Sequence, residues 1–242
     1  MASYHYIGSE LELFSAATVW KSYFRRHVNP YLGDDVLEVG AGLGGTTKLL
    51  CRPGNGQGAW VCLEPDAELA QGLRLAIERG ELPRPCQVVV GTLDQIAPDS
   101  RFDSVLYVDV LEHIADDREE LARAAAHLRP GGHLVVLGPA HPWLFSPFDQ
   151  AIGHHRRYTR ASLRALTPEG LVPVRSLYLD SVGLLASLGN RLLLRSSQPG
   201  PGQIAFWDKV LARCSRLVDP LVGYSLGKSV LYIWTRPAES AR

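Results

Sequence analysis

Apolar positions along the chain follow two alternating rhythms. Short, nearly unbroken apolar runs, of the length that suits strands buried on both faces, occur at Asp35–Gly40, Trp60–Glu64, Cys86–Gly91, Phe102–Val110 and His133–Gly138. Between them, helical spacing predicts helices over Gly44–Cys51, Ala67–Arg79 and Asp116–Leu128. Ahead of the first strand, Glu10–His27 reads as an amphipathic helix with Leu11, Phe14, Ala17, Val19 and Trp20 roughly on one side, ended by Asn29-Pro30. Strands alternating with helices build βαβ units, and so an α/β doubly wound sheet covered on both faces.

The last third changes character. Val172–Asp180 and Ser229–Arg236 read as two further strands. The segment between them holds two apolar helical stretches, Val182–Leu194 and Ile204–Val218, joined by a Ser/Gln/Pro/Gly loop at Ser196–Gly202. An interruption of that length is uncommon in a compact sheet unless it builds a lid or a binding surface. The expected organisation is an N-terminal helical cap (1–30), a core (31–181 and 229–242) and a helical insertion (182–228). The sheet is expected to have seven strands, mainly parallel, with an antiparallel last strand after the insertion.

Composition limits the partners. Lysine plus arginine and aspartate plus glutamate number 25 each, a zero formal charge that argues against nucleic acid as the default partner, although His154-His155-Arg156-Arg157 forms a local basic patch. Cys51, Cys62, Cys86 and Cys214 are scattered without a CxxC pair, which suits neither a structural zinc nor an iron–sulfur cluster, and free thiols fit a reducing cytoplasm. The first residues carry no basic region followed by an apolar run, and no apolar stretch reaches spanning length. The expectation is a cytoplasmic protein with at most peripheral membrane contact. Nothing in the sequence sets an oligomeric state.

The chemistry begins at Val36-Leu37-Glu38-Val39-Gly40-Ala41-Gly42-Leu43-Gly44-Gly45, a strand running into a glycine-rich turn. Glycine permits positive φ and close approach of a ligand, and the following helix offers unpaired N–H groups. Gly40, Gly42 and Gly45 also satisfy the dinucleotide fingerprint, so the turn alone leaves a nicotinamide-dependent oxidoreductase open. Three features separate the readings. Glu38 is ill placed beside a pyrophosphate but suits a ligand bearing an ammonium and a sulfonium. Glu64 ends the second strand, where an acid can accept both ribose hydroxyls of an adenosine. Leu128-Arg129-Pro130-Gly131-Gly132-His133-Leu134 reads as a helix, a Pro-Gly-Gly turn and a strand.

With these motifs the chain resembles the class I methyltransferases that use S-adenosylmethionine (SAM), clearly so from about Tyr31 to Leu163. The resemblance implies a Rossmann-like methyltransferase sheet with SAM as cofactor. It implies that Glu38, Gly40, Ala41, Gly42 and Gly44 wrap the methionine part and that Glu64, with Pro65 beside it, holds the ribose. Thr92 and Leu93 would flank the adenine, with an acid usual near there displaced to Asp94. Asp109 and Val110, at the end of the fourth strand, would line the cofactor near its transferable methyl. A SAM-binding protein with a non-methylating activity remains an alternative on the same motifs.

The acceptor is expected beyond the carboxyl end of the fifth strand. There, Asp149-x-x-x-Gly153-His154-x-Arg156-Arg157-Tyr158 resembles a bacterial branch associated with polysaccharide, glycolipid or secondary-metabolite pathways. The implied acceptor is a small molecule, with a hydroxyl on an apolar, glycosylated or lipid-linked metabolite favoured. A hydroxyl nucleophile must lose its proton, and histidine suits that near neutral pH. His154 and His155, with His141 behind them, are the base candidates. Asp149, Arg156, Arg157 and Tyr158 are the substrate-binding candidates, although an Asp149–Arg156 pair bracing the loop is the alternative for those two. Finally, Asp109-x-x-Glu112-His113 resembles the acid-x-x-Glu-His segment of metal-dependent O-methyltransferases, with His154 as the later histidine. Asp109 departs from that pattern, where a longer Glu is usual. A divalent metal on Asp109, Glu112, His113 and His154 is the implied option. Tyr4-His5-Tyr6 is expected to fold over the pocket.

Overall fold

The computed structural model describes residues 6, 11, 14, 16–51, 58–83, 85–189 and 200–238. Seven strands form one sheet: β1 (Val36–Val39), β2 (Trp60–Glu64), β3 (Cys86–Val90), β4 (Phe102–Val108), β5 (Leu128–Pro139), β6 (Val172–Leu179) and β7 (Ser229–Thr235). Their order is β3-β2-β1-β4-β5-β7-β6, parallel from β3 to β5, with β7 antiparallel to both β5 and β6. This is the doubly wound, mainly parallel sheet expected from the alternation of runs.

The unbroken apolar runs are explained by a core on each face. Leu37, Leu63, Val105, Tyr107, Leu134 and Val136 point into one, Cys62, Leu106, Val135, Leu137 and Ile233 into the other. Successive strand residues face opposite ways, so neither parity can be polar. Helices cover the faces: α1 (Thr18–Val28), α2 (Gly45–Leu50), α3 (Ala67–Glu78), α4 (Asp117–Ala126), α5 (Pro147–Ala151) and α6 (Arg160–Ala165).

Two of the boundaries that differ from expectation have a non-local reason. β5 starts at Leu128 rather than His133, because the Pro-Gly-Gly segment is held to the chain end by Gly131 N–H to Arg236 O (2.7 Å) and Arg236 N–H to Gly132 O (2.9 Å). The expected helix from Glu10 is interrupted: Leu11 and Phe14 are helical, Ala16 lies in a turn, and α1 begins at Thr18. Its start is fixed by Asp208, whose carboxylate accepts the Val19 and Trp20 N–H groups (3.2 and 2.7 Å). Those are donors a helix start leaves unpaired, here satisfied by a residue of the insertion.

Among the described residues the insertion is mainly helical. α7 (Ser181–Gly189) is followed by α8 (Pro201–Phe206), a π turn (Trp207–Leu211) and α9 (Ala212–Leu221). The second helical stretch thus starts earlier and ends later than Ile204–Val218. Buried Asp219 ties it down, accepting the Tyr23 hydroxyl (2.6 Å) and the Asp180 and Ser181 N–H groups (2.8 and 3.0 Å). The loop expected at Ser196–Gly202 lies mostly outside the described residues, as do Tyr4 and His5. Among the described residues no helix is long and apolar enough to cross a membrane. Cys51, Cys62 and Cys86 are buried free thiols, and Cys214 is exposed.

Candidate active site

The carboxyl ends of β1, β2 and β4 meet around the glycine turn. Gly40 and Gly42 take φ of +69° and +54°, which L side chains rarely adopt. A Cβ at Gly40 would lie 2.6 Å from Val110 Cγ2, so the turn passes tightly over the end of β4. The Gly42 N–H donates to Glu64 Oε2 (2.7 Å) and the Asp66 N–H to Oε1 (3.0 Å), which locks the Glu64 carboxylate beside the turn. Burial raises its pKa, opposed by those two bonds. Each oxygen keeps a further lone pair for a ligand hydroxyl.

Glu38 lies deeper. Its Oε2 accepts Thr47 Oγ1–H (2.6 Å) and Trp60 Nε1–H (2.7 Å), and burial pushes the carboxyl up to about 7. Ala41 is buried, and Gly44 (φ +74°) caps α2. Pro65 follows Glu64 at the half-buried start of the turn into α3. Thr92 is exposed and caps the turn Leu93–Gln95, while Leu93 puts its side chain into the core; Asp94 pairs outward with Arg123 (2.9 Å). The Tyr6 N–H donates to Asp66 Oδ2 (2.8 Å) and its ring lies 6.0 Å from that of His113. This one described residue of the expected aromatic cap therefore reaches from the end of β2 to the segment after β4.

Asp109 directly follows β4 with φ +54° and keeps a solvent-exposed side. Enclosure by protein raises its carboxyl to about 6, against the pull of His154, Lys228, Lys21 and Arg157 around it. Just beyond, the turn Leu111–His113 brings Glu112 inward. Glu112, His113 and His154 offer ligand atoms all within 4.8 Å of one another, and Asp109 is not one of this group. Glu112 is 0 % exposed, yet neither carboxylate oxygen has a hydrogen-bond partner. Burial, then Asp109, pushes it well above the ordinary carboxyl value. Burial, with the charges of His154 and His155, lowers His113 to about 4 and keeps it neutral, able to give a lone pair.

His154 is held from two sides. Nδ1 faces Asp149 Oδ1 at 3.1 Å and Nε2 faces Glu112 Oε1 at 3.8 Å. A buried carboxyl with neither oxygen hydrogen-bonded, beside two imidazoles, is an arrangement that a cation would satisfy. A carboxylate behind a ligating imidazole is also the usual arrangement for fixing its orientation.

Asp149 is the hub of the following loop. It accepts Arg157 Nε–H and an Nη–H in a fork (2.8 and 2.9 Å), the Ser146 N–H and hydroxyl, and His154. Burial alone would raise its carboxyl, but the bonds from His154, Arg157 and Ser146 outweigh that and hold it below the carboxylate range. The pairing is thus Asp149–Arg157. The bracing pair envisaged with Arg156 does not form; Arg156 binds Asp117 (2.8 Å) and the Ala115 carbonyl (2.6 Å) because successive side chains diverge. Tyr158 is buried in the core, its hydroxyl on Asp117 and the Leu111 carbonyl. His155 is exposed and its N–H holds the Glu112 carbonyl. His141 stacks between Tyr178 and Trp143 with Nε2 on the Gly227 carbonyl (3.0 Å). Of the base candidates, only His154 faces the buried acid. Asp149→Asn is expected to leave the Arg157 charge buried and unmatched, and so to cost about 3 kcal/mol in urea denaturation at neutral pH. A loss under about 1 kcal/mol would mean that the fork braces nothing.

Two cations escaped the sequence reading. Lys21 Nζ lies 2.6 Å from where a Cβ on Gly45 would sit, against the start of α2, and burial lowers its pKa. Lys228, at the entry to β7, stands opposite the end of β5 through Ala140 N–H to its carbonyl (2.8 Å). Neither lies near a motif, and the signal was only their position on elements that the fold brings to the site.

Residues 37–136 match a family model described as a methyltransferase domain. The chain is 35% identical over 112 residues to a ubiquinone biosynthesis O-methyltransferase of Bradyrhizobium sp. (strain ORS 278), covering 46% of this chain and 42% of that protein. It therefore spans less than half the length of that curated relative. A SAM-dependent methyltransferase from Archaeoglobus fulgidus has the same fold at 15% identity and a TM-score of 0.59, over 93% of this chain and 97% of that one. So does the cyclase SpnF, at 15% identity and a TM-score of 0.59, over 96% of each. The fold is that of the class I methyltransferases.

Proposed function

We propose that the chain is a SAM-dependent methyltransferase that transfers the methyl group to a hydroxyl of a small acceptor, apolar, glycosylated or lipid-linked. The observation that carries the cofactor reading is Glu64 locked beside the positive-φ Gly42, with donors on one side of its carboxylate and lone pairs left for a ribose. The match to an O-methyltransferase over 112 residues supports oxygen as the nucleophile. Lys21, against the start of α2, is placed to balance the carboxylate of the methionine part, and Glu38 sets the negative potential under its ammonium.

Transfer is an in-line displacement, so alignment supplies most of the rate. The acceptor oxygen attacks the methyl carbon, the carbon–sulfur bond breaks with its electrons going to sulfur, and S-adenosylhomocysteine leaves. Glu112, His113 and His154 would hold a divalent ion, and their oxygen and imidazole donors fit magnesium, manganese or a similar metal. Such an ion, when bound, lowers the pKa of an acceptor hydroxyl. The chain's own part is orientation: Asp149 fixes the His154 ring, Arg157 keeps Asp149 ionised, and Tyr6 reaches across the site from β2.

Incubation with SAM carrying a deuterated methyl, and a panel of hydroxylated aromatic and prenylated acceptors, tests the reading by mass spectrometry. The expected product carries the label on oxygen together with S-adenosylhomocysteine. A rearranged product without label, or consumption of NADH in its place, would overturn it.

A further inference from the structure

Lys228 is a half-buried lysine whose ammonium makes neither a hydrogen bond nor an ion pair among the described residues. Its one direct partner is the face of Trp207 in the π turn, 5.6 Å from the ring centroid. Two of the acids nearby are already engaged. Asp180 accepts from Trp207 Nε1 (2.7 Å), the Ser215 hydroxyl (2.7 Å) and the Gly183 N–H (3.1 Å). Asp149 is filled by Arg157, Ser146 and His154. Enclosure, with the charge of Arg157, lowers the pKa of Lys228 against the pull of Asp180, Asp149 and Asp109. A half-buried ammonium whose direct partner is a ring face is open to an anion.

The place is as telling as the lack of a partner. Lys228 enters β7 beside the carboxyl end of β5, where Pro139 pairs with Ser229, and it acts on Asp109 after β4. It thus lies within reach of the Asp109 charge and against Trp207 of the helical insertion.

We propose that Lys228 receives an oxyanion of the methyl acceptor, a carboxylate or a phosphate, so that the acceptor is an anionic hydroxylated molecule rather than a neutral one. The inference rests on the methyltransferase reading for the word acceptor, but the oxyanion site itself does not. Trp207 offers an apolar wall to the body of the ligand, and the ammonium supplies a charge-assisted bond to its anionic end.

The test is calorimetry of benzoate, phenyl phosphate and neutral benzamide with the full chain, each alone and after saturation with S-adenosylhomocysteine. At about 10 mM a site of even ~1 mM affinity fills. Benzoate or phenyl phosphate is expected to bind and benzamide not to, and the tighter of the two identifies which oxyanion the site suits. Lys228→Gln is expected to weaken that binding about tenfold, and Lys228→Arg to retain it. An unchanged affinity in Lys228→Gln, or no oxyanion binding by the wild-type chain, overturns the proposal. Should Lys228→Gln fail to fold, wild-type binding of benzamide as tight as benzoate does the same. Oxyanion binding without any binding of S-adenosylhomocysteine would instead sink the cofactor reading and leave this site standing.

Discussion

Replacing Glu112 with methionine is expected to abolish turnover, by about 100-fold or more, while making the protein more stable. Both halves follow from one observation: this carboxyl is 0 % exposed and neither oxygen finds a donor. A buried, unsatisfied polar group costs roughly 1–3 kcal/mol, and an unbranched apolar side chain of similar length removes that cost without leaving a cavity. The expected gain in a metal-free melt is of that size. Evolution keeps such a group only where something else uses it, and the neighbours His113 and His154 are ligand types. Glutamine at the same position keeps the shape and loses the anion, so it is expected to lose turnover without the gain in stability. Melting with and without millimolar magnesium or manganese separates the roles. The wild-type chain is expected to be stabilised by one of these ions and Glu112→Met by neither. A destabilised Glu112→Met with normal turnover would make Glu112 a packing residue.

Glu64→Ala carries the second large effect. It removes the carboxylate that accepts the Gly42 and Asp66 N–H groups, and with it the acceptor proposed for two ribose hydroxyls. Hydrogen bonds to a charged group contribute about 1.5–3 kcal/mol each, so affinity for S-adenosylhomocysteine is expected to fall about 100-fold. Glu64→Gln retains an oxygen for the Gly42 N–H and is expected to lose less. Equal losses in the two variants would show that only the loop's geometry matters.

The central strands were legible because both faces of the sheet are buried there, so Val36–Val39, Trp60–Glu64 and Phe102–Val108 stay mainly apolar whatever the parity. The glycine turn and Glu64 were legible because positive φ and a strand-end acid are local demands. What could not be read is what distant residues do for each other. The start of α1 depends on Asp208, and the extension of β5 on Arg236. The same holds for the site. His154 was visible as a histidine after the fifth strand, but its pairing with Asp149, its aim at Glu112 and the choice of Arg157 over Arg156 come from the packed loop. Lys21 and Lys228 sit in no motif, and only the folded chain brings them to Asp109.

The most direct measurement is a calorimetric titration of the wild-type chain with S-adenosylhomocysteine and, separately, with NADH. A saturable isotherm for the first, absent in Glu64→Ala, and no heat from the second is the predicted result. Saturation by NADH with S-adenosylhomocysteine inert would contradict the account at its root, because the turn at Gly40–Gly42 would then be serving a pyrophosphate.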